Sequence, residues 1–595
     1  MNATVPIPPP LQDLRAGFML GILLLLAPLV AAAAPAMVSL VADHTSDGPV
    51  QHGLNKLKLA LHQRGVSISE TNLLAVAGGD TVVVSGLAAS NGEAARLLAE
   101  LRLSPVKEPE SLLIRKLNRD GRSVLLVTGH DARGLMYALL DVADRVGWAK
   151  SAEQPFSEVR DTEEKPFTST RALSIYTFNR AYWESRFYDE VHWARYLDVL
   201  AQNRFNSLVV IFGYENGGFL APCYPYFFDV PEFPGVRMVG ITPEQQQRNL
   251  AALNRLIQMA HDRGVSFTVG IWDHIYRGGV QGGGIPGADD GTKKPVPGLV
   301  WGVTGENLVP YTKAALAEFL RQVPAVDAIQ FRMHDESGLK NSEQEAFWRD
   351  VFQMMKEQAP KLRLDLRAKG LPDSVIQSAL EVGVPFRITT KYWMEQMGLP
   401  FHPTHINPQN QFDRRHSYAD MLRYPQRYQM HWRLWNGGTA CVLLWADPDY
   451  ARRFAESTHL YDGDGFEVNE PLCTKTEAQP HDAKHVRAWR QTDPLHLRFE
   501  TVAESLGPCW VVECRHLTLV VVATGLNASE VVLGVCATRR ACPVGNRGWY
   551  WRPAMRWQRC VHRRRTVVMR KFALACIDWQ QTTSQIPGQT LHRHC

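Results

Sequence analysis

The stretch AIQFRMHDESG, Ala328 to Gly338, decides the fold. Phe331 and Met333 alternate with Arg332 and His334, the period-2 pattern of a strand with one face on a core, and the adjacent acids Asp335 and Glu336 follow. Next comes SEQEAFWRDVFQMMKEQAP, with apolar residues at helical spacing, and then a second strand-like run, LRLDLRAK. A strand, a helix and a strand in succession make a βαβ unit, and such units build parallel sheets.

The same alternation extends in both directions, over some 300 residues from about 170 to 475. Upstream strand candidates are ALSIYTFN, NSLVVIFGY and SFTVGIWDH; downstream ones are PFRITTKYW, YQMHWRLW, ACVLLWAD and GFEVNEP. Helical patterns such as DEVHWARYLDVLAQNR and TPEQQQRNLAALNRLIQMAHDRG lie between them. This many repeats predict an α/β protein with a closed (β/α)8 TIM-type barrel, in which AIQFRMHDE is the fourth strand. Nine candidate strands compete for eight places, so one, expected among the last three, is an insertion or not a strand.

Residues 37–165 read as a small α+β domain. A helical stretch (Val50–Arg64), the strand DTVVVSG, a helix near Glu93–Leu103 and the strands SLLIRKLN and SVLLVTG precede the amphipathic helix of DARGLMYALLDVADRVGW. DTEEKPF (161–167) reads as a charged linker into the barrel, assigned to 166–487. Residues 1–36 carry one Arg before a short apolar run and an AAAAPA segment, the order of a signal peptide, so a secreted or periplasmic protein is expected.

Charge is unevenly spread. Residues 501–595 hold 13 Lys/Arg and 4 Asp/Glu, whereas the whole chain has 65 and 60, so the first 500 residues are slightly acidic. That body has no nucleic-acid footprint. The tail, 488–595, reads as a basic domain or as out-of-frame sequence that folds poorly. The second is favoured, because no amphipathic element longer than a few residues is found among its seven Cys and five Trp after position 500.

In a barrel of this kind the reacting groups sit where strands end. The residues there are Tyr214 and Glu215 after strand two, Trp272, Asp273 and His274 after strand three, and Arg332, His334, Asp335 and Glu336 at strand four. Later strand ends supply Lys391, Tyr392 and Trp393, then Trp435 and Asn436, Asp447, and Glu467 with Glu470. Indole and phenol faces stack on pyranose rings while carboxylates, amides and imidazoles bind hydroxyls, so this set suits a carbohydrate. Glycoside cleavage needs two carboxyl groups, one protonated and one ionised. Glu336 is the acid candidate, since like-charge repulsion from Asp335 would keep its proton on; the bland reading is a pairing with Arg332 or a loop cap. Its partner is left among Glu470, Glu467 and Asp447, with Glu215 and Asp273 behind them and Glu470 taken forward, and for each the competing role is a hydroxyl ligand or a strand-end ion pair. Arg171, Arg332 and Lys391 could clamp a uronic-acid carboxylate or could equally form structural ion pairs. HPTH (402–405) is a weak metal signal, and no cofactor, metal, nucleic-acid partner or membrane contact of the mature chain is expected.

The run SVLLVTGHDARGLMYALLDVADRVGW resembles the small N-terminal α/β domain shared by family 20 β-hexosaminidases and family 67 α-glucuronidases, in which a catalytic barrel follows. The resemblance covers about 37–475 and implies a glycoside hydrolase. Family 20 enzymes carry an Asp-Glu pair after strand four, within His-x-Gly-Gly-Asp-Glu; the Glu is the acid/base and the Asp orients the substrate's acetamido group. MHDESG keeps the pair as Asp335 and Glu336 without the two glycines. Family 67 enzymes use a strand-four Glu as acid, a place Glu336 could fill, and a later-strand base. The reading that follows is an exported glycosidase acting on a uronic-acid-containing glycan. The alternatives are a carbohydrate-binding barrel without activity and a lyase using Lys391 or Tyr392 as base.

Overall fold

The computed structural model describes residues 37–43, 47–79, 81–105, 107–176, 186–212, 223–271, 300–331, 333, 341–368, 370–390, 421–434, 448–469, 518–521 and 533–536. The first unit contains β1 (Met37–Ala42), α1 (Gly48–Gln63), β2 (Ser67–Thr71), β3 (Thr81–Leu87), α2 (Glu93–Glu100), β4 (Leu112–Arg119), β5 (Arg122–Gly129), α3 (Ala132–Trp148) and β6 (Thr162–Glu164). Its six strands run in the order β2-β1-β3-β5-β4-β6. β4 and β5 form a hairpin whose turn, Asp120-Gly121, has both residues at positive φ, as a two-residue turn between twisted strands requires. Alternate strand residues serve opposite faces: Leu40, Val83, Leu125 and Val127 pack with α1 and α3, while Val82, Val84 and Leu126 pack with Leu97 and Leu98 of α2. Asp131 Oδ1 accepts from the Gly134 amide at 2.8 Å and caps α3, as its place before the apolar run foretold.

The stretch 161–167 is not merely a linker. Thr162–Glu164 pair antiparallel with β4, Thr162 turns inward, and Glu163 pairs with Arg115 on the outer face. Three alternating residues were enough to extend the sheet by one edge strand.

The second unit alternates β7 (Thr170–Tyr176), α4 (Glu190–Gln202), β8 (Ser207–Ile211), the two-residue strand β9 (Arg237–Met238), α5 (Pro243–His261), β10 (Ser266–Ile271), its small partner β11 (Val300–Trp301), α6 (Leu308–Gln322), β12 (Ala328–Phe331) and α7 (Asn341–Gln358). It continues with β13 (Arg363–Arg367), α8 (Asp373–Val382), β14 (Phe386–Thr389), β15 (Gln429–Leu434), α9 (Pro448–Ser457) and β16 (Gly465–Asn469). A capping box starts α5, with Thr242 and Gln245 each accepting from the other's amide and Pro243 at the first helical position.

Eight parallel strands, β7, β8, β10, β12, β13, β14, β15 and β16, close into a barrel. β12 is fourth in the ring, as expected. The ring is complete without ACVLLWAD (440–447), which lies outside the described residues, because β15 pairs directly with β16 and β16 with β7. Outward strand positions are apolar: Leu208, Val210, Phe267, Ile329, Phe331, Leu364, Ile388, Trp432 and Phe466 are buried in one continuous core under the helices. Phe331 meets Trp348 of α7 with ring centroids 5.0 Å apart, so the apolar half of the alternation anchors strand four to its own helix. In the tail, β17 (Thr518–Val521) and β18 (Leu533–Cys536) form an antiparallel pair.

The first unit meets the barrel at the N-terminal ends of its strands. Glu110 accepts from Arg133 at 2.6 Å, from Asn206 Nδ2 at 2.7 Å and from Arg171. Arg171 opens β7, and Asn206 directly precedes β8. Beside them Asp198 of α4 binds Lys56 of α1 and Arg263 after α5, both at 2.6 Å. Burial works against the charge on Glu110, but Arg171 and Arg133 hold its carboxyl below the ordinary range. Arg171 is therefore a structural partner at the base of the barrel, not a clamp at its mouth. The small unit covers the end opposite the one where barrel chemistry is done.

Candidate active site

Strand ends position the site. β10 ends at Ile271, one residue before Trp272, Asp273 and His274, and β12 ends at Phe331, one residue before Arg332. β8 ends at Ile211, three residues before Tyr214; β14 ends at Thr389, two before Lys391, Tyr392 and Trp393. β15 ends at Leu434, directly before Trp435 and Asn436, and β16 ends at Asn469, directly before Glu470. The expected set thus follows the C-terminal ends of six barrel strands in sequence. Tyr214, Glu215, Trp272, Asp273, His274, Arg332, His334, Asp335, Glu336, Lys391, Tyr392, Trp393, Trp435, Asn436, Asp447 and Glu470 themselves lie outside the described residues. Asp447 differs from the rest, since it precedes α9 rather than following a barrel strand.

Glu467 is the one site candidate inside the described residues. It occupies the middle of β16, opposite Ala172 and Arg433, and is fully buried. Arg433 Nε donates to its Oε1, and Gln330 Nε2 donates to its Oε2 at 2.8 Å. The carboxylate points into the lumen two residues before the end of β16, about 6–7 Å deeper along the strand given its rise.

The register around the ring puts the partners of Glu467 on one inward-facing set. On β12 to β16 that set includes Gln330, Asp365, Arg367, Arg387, Thr389, His431 and Arg433. On the other three strands it is smaller: Ala172, Ser174, Ser207, Val209, Thr268 and Gly270. Barrel interiors are ordinarily filled by branched apolar residues. Here long polar side chains from one half of the ring reach across to short ones on the other.

Two ionic tiers result. The upper is Arg433–Glu467–Gln330, with Arg433 Nη2 also 3.4 Å from Ser174 Oγ. In the lower, Arg387 grips Asp365 with Nε–Oδ1 at 2.7 Å and Nη2–Oδ2 at 2.9 Å, and its third nitrogen reaches Asp464. Asp464 also accepts from Thr170 Oγ1 at 3.0 Å and lies 2.8 Å from His431 Nδ1. Burial alone would lift the carboxyls of Asp365 and Asp464; the charge of Arg387 outweighs it and holds both below the ordinary range. An ionised Asp464 accepts a hydrogen bond and cannot give one, so Nδ1 of His431 carries the proton. His431 Nε2 is buried with no hydrogen-bond partner.

These tiers escaped the sequence reading, although a signal was present. RLDLR, FRIT, MHWRL and FEVN each alternate one charged or polar residue with one apolar residue. In a parallel barrel whose outer faces must be apolar, the polar half of that alternation can only turn inward. No group of three His, Cys, Asp or Glu able to hold a metal ion exists among the described residues.

With that geometry in place, comparison with known proteins is informative at the level of fold. No family model matches the chain, and no curated protein matches it. Among solved structures, it is similar to a GH138 enzyme targeting pectin rhamnogalacturonan II: TM-score 0.53, 17% identity, 73% of this chain and 46% of that one. The chain therefore spans under half the length of that protein. It is also matched to CpGH84B at TM-score 0.43 and 11% identity, over 72% of this chain and 64% of that one. A β-N-acetylhexosaminidase from Bacteroides fragilis NCTC 9343 matches at TM-score 0.36 and 15% identity, over 65% and 76%. What the chain shares with the GH138 enzyme, at this identity, is the TIM-type α/β fold.

Proposed function

We propose that the chain is a glycoside hydrolase in which Glu336 is the proton donor, Asp335 orients the reacting sugar and Glu470 is the second carboxylate. What supports this reading most is placement: strand four of a closed barrel stops at Phe331, and the Asp335–Glu336 pair follows within five residues. A general acid must be protonated at working pH, and a neighbouring carboxylate favours that state. The aromatic residues after strands three, six and seven would stack on the sugar ring, with Asp273, His274 and Asn436 taking its hydroxyls.

A uronic-acid-containing glycan is the proposed substrate class. Arg332 and Lys391 follow strands four and six and supply the cations that a carboxylated sugar needs. The pectin target of the GH138 enzyme, a protein of similar fold, points the same way. Residues 1–36 would direct export to where such polymers are met.

The test is Glu336→Gln beside the wild type, assayed on 4-nitrophenyl glycosides of glucuronic acid, galacturonic acid and N-acetylglucosamine and on pectin fragments. Hydrolysis should fall at least about 10²-fold with binding of pectin fragments retained. Full activity in the variant sinks the assignment of Glu336. A wild type that binds the glycan and cleaves none of these leaves a carbohydrate-binding barrel instead.

A further inference from the structure

The hydrogen bond from Gln330 to Glu467 joins β12 to β16, the fourth and eighth strands of the ring. Strands four places apart in a ring of eight face each other across the lumen, so this 2.8 Å contact bridges the barrel along a diameter. Two extended side chains meet there because their inward neighbours are short: Ala328, Gly270, Ala172 and Ser174 leave the space open.

Glu467 is not free to wander. Arg433 on the adjacent strand binds Oε1, which leaves Oε2 aimed at Gln330. Gln330 is in turn the last inward residue of a four-residue strand. A short strand has few ladder bonds with which to fix its end. We propose that Glu467 and Gln330 are positioning residues, a strut that sets the end of strand four, and with it Asp335 and Glu336, relative to strand eight. The strut rests on the reading of Glu336 as proton donor and deepens it. In this role the two oxygens of Glu467 bind Arg433 and Gln330, and Glu470 stays the proposed second carboxylate. Fractions of an ångström matter here, since misplacing a catalytic group by about 1 Å can cost about 10²-fold in rate.

Gln330→Met is the test, because it keeps the side chain's length, removes its donor and leaves the Arg433–Glu467 pair intact. It is compared with the wild type and with Glu336→Gln on the same 4-nitrophenyl glycosides. The strut predicts kcat lower by about 10²-fold, KM within about threefold and a displaced alkaline limb of the pH profile, the limb on which the proton donor ionises. Combining Gln330→Glu with Glu467→Gln exchanges donor and acceptor, and should return kcat to within about tenfold of the wild type. If Gln330→Met does not fold, the exchanged pair decides alone, and a loss of about 10²-fold there overturns the proposal. Wild-type kcat in Gln330→Met while Glu336→Gln is inactive also overturns it, leaving the assignment of Glu336 standing. Activity in Glu336→Gln overturns that assignment instead. Crystal structures of wild type and variant supply a readout free of substrate. With the other seven strands superposed, the Cα atoms of Asp335 and Glu336 should shift by about 1 Å or more, and coincident positions refute the strut.

Discussion

Arg387 grips Asp365 with two parallel hydrogen bonds, 2.7 and 2.9 Å long, in the closed interior of the barrel. Both side chains are almost wholly buried, and Asp464 takes the remaining guanidinium face. An ion pair removed from water gains little over an apolar pair of the same shape, but it is costly to break, because the partner left behind has no solvent.

Arg387→Met should therefore lower stability by about 3–5 kcal/mol, read as a fall in the urea midpoint at neutral pH. The carboxyls of Asp365 and Asp464 are held below their ordinary value of 3.8, so in the wild type they favour the fold above that pH and lose this contribution as pH falls through it. Without Arg387 those buried groups can shed their charge by taking up protons. The gap between wild type and variant is expected to narrow as pH drops through the ordinary Asp range. A gap that is constant with pH would show that the loss is packing, not charge.

A second prediction concerns the seam between the two units. Glu110→Gln keeps the shape of the side chain and leaves Arg171 and Arg133 facing no counter-charge. About 3–5 kcal/mol should be lost, and urea unfolding followed by tryptophan fluorescence and circular dichroism should separate into two steps as barrel and small sheet uncouple. One unchanged cooperative transition would mean that the seam is held elsewhere, with the Asp198 cluster the next place to look.

Much of this architecture is written locally. Apolar runs or polar–apolar alternation, set between helical stretches, marked all eight barrel strands, because each must show apolar side chains to a helix layer. What local pattern does not carry is which residues meet. Gln330 and Glu467 are 137 positions apart, and nothing in either flanking stretch names the other. Arg171 illustrates the same limit from the opposite side. A cation near a strand terminus reads alike at either end of a barrel, and only the fold shows that this one belongs to the base. The edge strand at Thr162–Glu164 was hidden by its charges, since an exposed edge shows its polar residues to water. For the site the legible part was order along the chain: a strand, then at once the acids, indoles and cations.

Closure of the ring gives a third prediction. Gly465 opens β16 at φ 144°, and a Cβ there would stand 1.9 Å from the Thr170 carbonyl oxygen. That carbonyl belongs to β7, the strand that β16 must pair with to complete the barrel. Gly465→Ala should cost about 3–5 kcal/mol, through strain and a clash that neither strand can relieve. Gly121→Ala is the control, since it has a positive φ but open space around it and should cost only about 1–2 kcal/mol. Equal midpoints for the two variants in thermal unfolding would refute the claim that close approach, rather than backbone angle, makes Gly465 necessary.

The last prediction is a pH dependence located at one residue. His52 of α1 is packed against Asp198 of α4, its Nε2 3.8 Å from Oδ1 and without a hydrogen bond. Burial pushes its imidazole down to about 4 from 6.5; Asp198 opposes the shift, while Arg263 and Lys56 add to it. The folded protein thus keeps His52 neutral over a range in which the unfolded chain would protonate it. Its contribution is fully present above pH 6.5 and is lost as pH falls from 6.5 toward about 4. At about 1.4 kcal/mol per unit, the loss amounts to about 3 kcal/mol. His52→Leu removes this titration and leaves every other group in place, so subtracting the two stability curves isolates it. Urea midpoints at pH 7, 6, 5 and 4 should show the wild type falling more steeply than the variant across this interval. Parallel curves would mean that His52 takes up its proton in the folded state as readily as in the unfolded one.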